Sequence, residues 1–177
     1  GGSGGWSRAR ARAVRRGVVY GPDDCAERVD YWMERVRTQD GVGGPGGGQN
    51  LWQRAYVEDG ASALGIVAER GEPGAAYNVG DRRALTLRET VEAIADAAGT
   101  GVDVVPASDD ALAAGGLEPD DFALYREYPH LLDTCALADL GWASTPVDEA
   151  MARTVAEHRE SDRDRSEGDP GRGAGER

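Results

Sequence analysis

The chain has 177 residues, enough for a single domain, and 40% of them are hydrophobic. All 20 of its basic residues are arginine, and 32 acidic residues outnumber them, so the net charge is −12. A charge of this sign repels nucleic acids and anionic membrane surfaces, so we expect neither as a partner. The apolar runs are too short for a membrane-spanning helix and the N-terminus has no signal-peptide pattern, so we expect a cytoplasmic protein.

An acid-rich composition without lysine has two interpretations. It is typical of a protein surface that stays solvated in high salt, and it also arises in proteins of GC-rich genomes. The high-salt interpretation predicts that the protein unfolds in low salt, because repulsion among the acids is then unscreened.

Composition divides the chain into three parts. Residues 1–13 combine Gly and Ser with alternating Arg and predict a flexible tail. Residues 14–160 contain the patterns of strands and helices. Residues 161–177 contain a single apolar alanine among charged residues and glycines, and they predict a disordered acidic tail.

The first structured stretch predicts a strand that ends at a ligand-binding edge. Residues 18–20 form the β-branched and aromatic run Val-Val-Tyr, which stops at Gly21-Pro22. A helix is predicted over 24–37, where apolar residues recur every three or four positions. The glycine-rich residues 41–50 predict a loop. Ligands of open α/β sheets bind at the carboxyl ends of strands, so the end of this strand is a candidate site.

The rest of the structured part alternates short strands with helices. Thr86 and Glu89 match a capping box, which marks the start of a helix that ends at Gly99. Gly71 suits a left-handed helix end, and residues 115–129 predict irregular structure. The remaining predictions are a strand at 51–57 running into a helix that ends at Arg70, strands at 75–79 and 102–106, and helices at 108–114, 133–140 and from Thr145.

The residues themselves provide neither a complete catalytic set nor a metal site. His130 and His158 are far apart, and neither has a Cys or His at ligand spacing. No serine lies in a GxSxG turn. Of the two histidines, His130 is the better candidate for contact with a ligand. Cys25 and Cys135 are expected to be reduced, partly buried thiols.

Four motifs in order resemble the NAD-dependent epimerase/dehydratase family, the extended short-chain dehydrogenase/reductase proteins. Residues 15–22 (RRGVVYGP) resemble the family's RPxxVYGP segment, and 54–64 (RAYVEDGASAL) resemble RxYVxDxAxA. Residues 77–80 with 85–89 (YNVG and LTLRE) resemble YNVG with LTLxE, and 140–146 (LGWASTP) resemble the closing LGWxP. The resemblance spans residues 14–160.

The resemblance implies an α/β fold made of the late strands of a Rossmann-like parallel sheet and a small, mostly helical C-terminal substrate lobe. It implies NAD or NADP as cofactor and hydride transfer on a nucleotide sugar. The family's glycine-rich dinucleotide turn and its catalytic Tyr-x-x-x-Lys lie in an N-terminal half, and neither motif is found here. We therefore expect the dinucleotide-binding half to be missing, the fragment to be inactive alone, and the cofactor not to be bound by it.

The resemblance also assigns roles to individual residues. Val18 and Tyr20 are expected beside the cofactor. Arginine side chains are suited to a diphosphate, because a guanidinium offers forked donors to phosphate oxygens. The alternative for each arginine is a surface ion pair with a nearby Glu or Asp. The expected substrate-binding residues are Tyr20, Gly21, Pro22, Arg28, Arg35, Arg54, Tyr77 and Asn78.

Two functions remain open from the sequence. In the first, the chain is the nucleotide-sugar-binding part of an epimerase or dehydratase. In the second, it is a non-catalytic binding module or a degenerate remnant. Expected partners are a nucleotide-sugar-like small molecule, a separately encoded N-terminal half, and a second copy in a homodimer.

Overall fold

The computed structural model describes residues 11–22, 24, 28–125 and 128–160, and the statements below concern these residues. Most of both predicted tails therefore lies outside the described residues. None of the helices in these ranges is long and apolar enough to cross a bilayer. The elements are β1 (Ala13–Arg16), β2 (Val19–Tyr20), α1 (Asp30–Thr38), β3 (Gly41–Pro45), β4 (Leu51–Trp52), β5 (Ala55–Tyr56), α2 (Val57–Arg70), β6 (Ala76–Val79), β7 (Leu85–Thr86), α3 (Leu87–Ala98), β8 (Asp103–Ala107), α4 (Asp109–Ala114), α5 (Cys135–Ala138) and α6 (Val147–Glu160).

The described strands pair two by two. Three pairs are parallel, namely β1 with β6, β2 with β5, and β3 with β8, and the pair of β4 with β7 is antiparallel. Parallel pairs need long crossovers, and here helices supply them. The predicted α/β class with Rossmann-like parallel pairing is confirmed. Pairing begins at Ala13, which lies opposite Ala76. The sequence had placed Ala13 in the N-terminal tail.

The glycine-rich stretch is not wholly a loop, and this prediction was wrong. Residues 41–45 form β3 and pair with β8 from Gly41 opposite Asp103 to Pro45 opposite Ala107. A sheet ladder uses backbone groups, which glycine supplies as well as any residue. The buried side chains of Val42 and Val104 fix this pair against the core. Residues 46–48 then turn with positive φ, as glycine allows.

Two helix ends differ from their sequence-based predictions. Helix α1 begins at Asp30 rather than at residue 24, and Arg28 and Val29 form a turn before it. Gly71 after α2 is extended, with φ −67° and ψ 146°, and is not left-handed. Glycine is needed there for space, because a Cβ would lie 2.6 Å from the carbonyl oxygen of Val67.

Helix α3 follows its predicted signals at both ends. The Thr86 hydroxyl accepts a hydrogen bond from the amide of Glu89 at 3.1 Å, and the Glu89 carboxylate accepts one from the amide of Thr86 at 2.8 Å. These bonds hold the pKa of Glu89 below its usual range. Gly99 ends the helix in the left-handed conformation. Ser108 also caps α4 as predicted.

The core lies in two clusters. In the larger cluster, α3 packs on both α1 and α6, and Trp32 of α1 links this core to the irregular stretch before residue 125. Its indole donates to the carbonyl of Ala123 at 2.7 Å and stacks on Phe122. The smaller cluster joins α2, β6, α5 and Trp142.

Asp59 in the first turn of α2 fixes where α6 begins. Its two carboxylate oxygens accept hydrogen bonds from the amide and the hydroxyl of Thr145, at 2.8 and 2.7 Å. Its carbonyl accepts the indole N–H of Trp142 at 3.2 Å. Asp59 therefore connects the start of α2 to the segment that leads into α6.

Candidate functional site

The end of β2 is held tightly against the start of α2. Tyr20 is 1% exposed, lies opposite Tyr56 in the parallel pair, and has its ring centroid 5.8 Å from that of Tyr56. Gly21 follows with φ +136°, and a Cβ on it would lie 2.6 Å from Cγ1 of Val57. Only glycine fits this turn, so the site depends on the Tyr-Gly-Pro sequence.

A cluster of polar residues is buried behind Tyr20, and we call Tyr20, Arg54, Asp81 and Thr90 the buried cluster. Arg54 is 3% exposed, and its guanidinium donates to the Thr90 hydroxyl. Asp81 is equally enclosed and accepts the amide of Tyr56 at 3.3 Å. The strands β2 and β5 and the segment after β6 thus meet around the carboxyl group of Asp81 and the guanidinium of Arg54.

Burial dominates the electrostatics of this cluster. It raises the pKa of Asp81 to about 7, against the opposing attraction of Arg54. Burial and the nearby Asp81 carboxylate also raise the pKa of Tyr20, which stays a neutral phenol. Burial lowers the pKa of Arg54. Asp81 therefore titrates near neutral pH, next to a buried cation and a buried phenol.

Two open clefts lie around the strand end. The β1–α2 cleft has a volume of about 650 Å³ and the His130 cleft a volume of about 460 Å³, both within the range of small-molecule sites. Arg16 and Arg28 line both clefts. The β1–α2 cleft is lined also by Val14, Val19, Tyr20, Pro22, Asp24, Val57, Gly60, Ala61, Leu64 and Val79. The His130 cleft is lined also by Gly17, Val18, Trp52, Asp120, Phe122, Ala123, Leu124, Tyr125 and His130.

An aromatic pair forms one wall of the His130 cleft. The ring of His130 lies 5.4 Å from that of Trp52, at an angle of 31°. Backbone bonds fix this contact, because Gln53 donates to the His130 carbonyl at 2.9 Å and His130 donates to the Leu51 carbonyl at 3.0 Å. Trp52 is buried with its indole nitrogen unpaired, whereas His130 is exposed. His130 therefore presents a fixed aromatic surface to the cleft.

The structure brings together part of the predicted site. Tyr20, Pro22 and Arg28 line the β1–α2 cleft, Val18 and Arg28 line the His130 cleft, and Gly21 lies between them at the turn. Arg35, Arg54, Tyr77 and Asn78 line neither cleft.

These last four residues have contacts within the protein instead. Arg35 is 5% exposed and lies 3.5 Å over the ring of Tyr31. The Tyr77 hydroxyl accepts the amide of Glu72, and the Asn78 amide donates to the Asp133 carbonyl, each at 2.8 Å. Ligand binding by Arg35, Arg54, Tyr77 or Asn78 stays a prediction, and their positions count against it.

The sequence did not indicate Asp81, Thr90 or Trp52 as site residues. Gly80-Asp81 reads as an ordinary strand end, and Thr90 as one more position of α3. The one sequence signal for Trp52 was its position, in the strand just before the Tyr-Val-Glu-Asp motif. Their importance comes from burial, which depends on the tertiary structure.

The described residues contain no group of three or more His, Cys, Asp or Glu side chains placed to hold a metal ion. Cys135 is exposed rather than partly buried as predicted, because α5 is short and Cys135 stands at its first position. Cys25 lies outside the described residues.

The described helix ends do not suit a dinucleotide. A pyrophosphate is commonly held at a helix N-terminus, where free N–H groups and the helix dipole favour negative charge. Acids occupy the first turn of every described helix except the four-residue α5, for example Asp30 in α1, Glu58 and Asp59 in α2, and Glu89 in α3. These helix ends therefore do not fit the pyrophosphate of NAD or NADP.

The fold is shared with sugar-nucleotide enzymes of known structure. The UDP-glucose 4-epimerase of Thermus thermophilus, solved with NAD, is 28% identical with a TM-score of 0.63, over 84% of this chain and 46% of that protein. The dTDP-glucose 4,6-dehydratase of Bacillus anthracis, also solved with NAD, is 19% identical with a TM-score of 0.66, over 84% of this chain and 44% of its own. The described residues thus share the fold of a little under half of each of these NAD-bound enzymes.

Two further comparisons bear on the same point. The UDP-glucose 4-epimerase of Thermotoga maritima, solved with UDP-glucose, has a TM-score of 0.65 at 22% identity, over 85% of this chain and 46% of that one. The low-salt glycan biosynthesis protein Agl12 of Haloferax volcanii is 31% identical over 87 residues, which is 49% of this chain and 28% of that protein. No protein-family model matches the chain. The chain thus spans less than half the length of these relatives.

Proposed function

We propose that this chain is the C-terminal, substrate-binding part of an NAD-dependent epimerase or dehydratase that acts on a nucleotide sugar. The observation that carries the proposal is the strand end at Tyr20-Gly21-Pro22 with a cleft on either side, in a fold shared with enzymes that bind UDP-glucose and NAD. The fold alone does not determine function, so the argument rests on the cleft chemistry.

The His130 cleft suits a nucleotide sugar. Arg16 and Arg28 are exposed at its edge and offer forked donors to a diphosphate. His130, backed by the buried ring of Trp52, offers an aromatic surface for a base or a sugar ring. Asp120 is an acceptor for sugar hydroxyls. These groups bind and orient the sugar nucleotide.

The chain is inactive alone. NAD would supply the hydride chemistry on the sugar, and the described helix ends do not fit the pyrophosphate of that cofactor. The buried cluster around Asp81 holds Tyr20 and the strand end in place but is closed to a substrate. The cofactor and the catalytic groups therefore belong to a part of the fold that these 177 residues do not include.

A turnover assay tests the inactivity. We expect the purified 177-residue chain to give neither epimerised nor dehydrated product from UDP-glucose or dTDP-glucose with NAD. Turnover that stops when NAD is removed would contradict the proposal.

Variants test the binding site. In titrations with UDP-glucose, Arg28→Gln weakens binding by about tenfold, because a charge-assisted contact to phosphate contributes about 1.5–3 kcal/mol. Arg82→Gln, an exposed arginine that lines neither cleft, is the matched control and leaves binding unchanged. An equal loss of affinity in both variants would show that UDP-glucose binding depends only on the net charge of the protein. If neither UDP-glucose nor dTDP-glucose binds, the alternative of a degenerate remnant or a module with another partner is favoured.

A further inference from the structure

We infer that Gln53 is a positioning residue for the His130 cleft: its side-chain amide holds the segment that carries His130 and thereby sets where this ring meets a nucleotide sugar. The inference rests on the proposed function, because the sugar nucleotide is proposed to bind in that cleft. Gln53 does not line the cleft itself, so it acts through His130 and not on the ligand.

The side chain of Gln53 is buried, and both ends of its amide are bonded. Gln53 is 7% exposed. Its Nε2 donates to the carbonyl of Asp81 at 2.8 Å, and its Oε1 accepts the amide of Leu132 at 2.6 Å. A carbonyl only accepts and an amide N–H only donates, so the site requires a donor on one branch and an acceptor on the other. An ionised glutamate of the same shape would offer no donor to Asp81.

The Gln53 side chain takes over where a backbone ladder ends. His130 donates to the carbonyl of Leu51 at 3.0 Å, and Gln53 donates to the carbonyl of His130 at 2.9 Å. In a parallel ladder the next bond would run from the amide of Leu132 to the backbone carbonyl of Gln53. Here that amide donates to the side chain of Gln53 instead. Residues 131–134 have no regular structure, so this bond fixes how the chain leaves His130.

The space around Gln53 and His130 is tight. A Cβ on Gly80 would lie 3.2 Å from Cγ and Cδ of Gln53. A Cβ on Gly17 would lie 2.8 Å from the carbonyl oxygen of Gln53 and 3.4 Å from Cε1 of His130. The two glycines therefore leave the room that Gln53 and the His130 ring occupy. A small shift of the segment would change the contact of this ring with Trp52 and with a ligand.

A second side chain holds the same segment, but at the surface. Asn78 donates to the carbonyl of Asp133 at 2.8 Å, in an exposed position. Water can replace an exposed hydrogen bond, whereas the loss of a buried one leaves its partners unsatisfied. We therefore regard the Gln53 amide as the main anchor of the segment.

Gln53→Met tests the inference in the whole 177-residue chain, because methionine is similar in length and has no amide. We expect the affinity for UDP-glucose to fall about fivefold in calorimetric titrations, the size of effect expected when one aromatic contact is lost. His130→Ala should lose at least as much. In the double variant, Gln53→Met should add less than about twofold to the loss from His130→Ala, because Gln53 acts through that ring.

Nuclear magnetic resonance of the ligand-free protein reports the position of the ring directly. The chain has two histidines, so His130→Ala identifies the signal of the proton on Cε1 of His130. We expect this signal to shift in Gln53→Met, because the ring moves relative to the indole of Trp52. We also expect the amide of Leu132 to exchange hydrogen about tenfold faster relative to the amides of α3.

Gln53→Asn provides a second variant. It keeps the amide but is one carbon shorter, so it cannot reach both Asp81 and Leu132. We expect smaller changes in the same direction in the affinity, in the His130 signal and in the exchange of Leu132. This variant decides the question if Gln53→Met does not fold.

Thr154→Val is the matched control. Thr154 is 2% exposed, and its hydroxyl donates to the carbonyl of Ala150 within α6, outside both clefts. The variant removes one buried side-chain hydrogen bond. It should lower the midpoint of thermal unfolding, but it should leave the UDP-glucose affinity within about twofold and the His130 signal in place.

Three results would each overturn the inference: an unchanged His130 signal in the Gln53 variants, a loss of affinity that adds fully to that of His130→Ala, or an equal loss of affinity in Thr154→Val. If the wild type does not bind UDP-glucose, the proposed function fails. The His130 signal and the exchange of Leu132 then still decide whether Gln53 positions the ring.

Discussion

Single residues at the end of β2 show what sequence can and cannot reveal. The Tyr-Gly-Pro sequence correctly indicated a strand that stops at a tight turn, since Gly21 has the positive φ that glycine permits. The role of Arg54 was not readable, because an arginine next to an acid-containing motif looks the same whether it faces a ligand or the core. Here it is buried against Thr90, where it balances Asp81.

The titration of Asp81 makes stability depend on pH. Its pKa is about 7 in the folded chain, against 3.8 as the ordinary value, so the folded state binds the proton more tightly. The stabilisation by protonated Asp81 is complete below pH 4 and is lost as the pH rises through about 7. Three pKa units correspond to about 4 kcal/mol at most. We expect the free energy of unfolding to fall between about pH 4 and pH 7.

Urea unfolding of the wild type and Asp81→Asn measures this effect. The asparagine does not titrate, so the difference between the two pH profiles isolates Asp81 from the other carboxyls. Parallel profiles for the two proteins would contradict the raised pKa.

Gly21→Ala tests the turn at the strand end. The new methyl would lie 2.6 Å from Val57 at φ +136°, so we expect a loss of about 2–3 kcal/mol in the free energy of unfolding. Gly101→Ala is the control, because no atom lies within 4 Å of its added Cβ, and it changes stability by less than about 0.5 kcal/mol. If the two variants are equally stable, the turn does not require glycine.

Elements with local signals were predictable, and elements without them were not. Helix α3 carries its start and stop in its own sequence, at Thr86, Glu89 and Gly99. β3 has no such signal, because its glycines are typical of loops and its pairing with β8 depends on a strand about sixty positions away. Strand pairing of this kind is set by tertiary contacts, which no short window contains.

The cap of α3 is testable by one substitution. Thr86→Ala removes the acceptor for the Glu89 amide and should cost about 1 kcal/mol of unfolding free energy in chemical denaturation. Thr38→Ala, at the exposed end of α1, is the control and should cost less than half as much. An equal loss in both would mean that the capping box contributes nothing beyond helix propensity.

At the scale of the whole molecule, the chain is an α/β unit with open strand edges. The α/β class and the parallel strand pairing could be predicted from the alternating strand and helix patterns and from the four motifs. The two clefts could not be predicted in this way. Cleft residues such as Arg16, Trp52 and His130 come from separate segments, and only folding brings them together.

Charge at this scale predicts a dependence on salt. With a net charge of −12, repulsion acts over about 30 Å at 10 mM salt and about 3 Å at 1 M. If the surface is adapted to high salt, the midpoint of thermal unfolding rises steadily from 10 mM to 2 M KCl, as measured by circular dichroism. The same midpoint at both ends of this range would contradict that interpretation and favour the genomic origin of the composition.

The most direct test of the account is a pair of calorimetric titrations of the 177-residue chain, one with UDP-glucose and one with NAD. The account predicts heat of binding with the sugar nucleotide, because the His130 cleft is formed within this chain. It predicts none with NAD, because acids occupy the described helix ends where a pyrophosphate would bind. Binding of NAD, or an absence of binding by UDP-glucose, would contradict it.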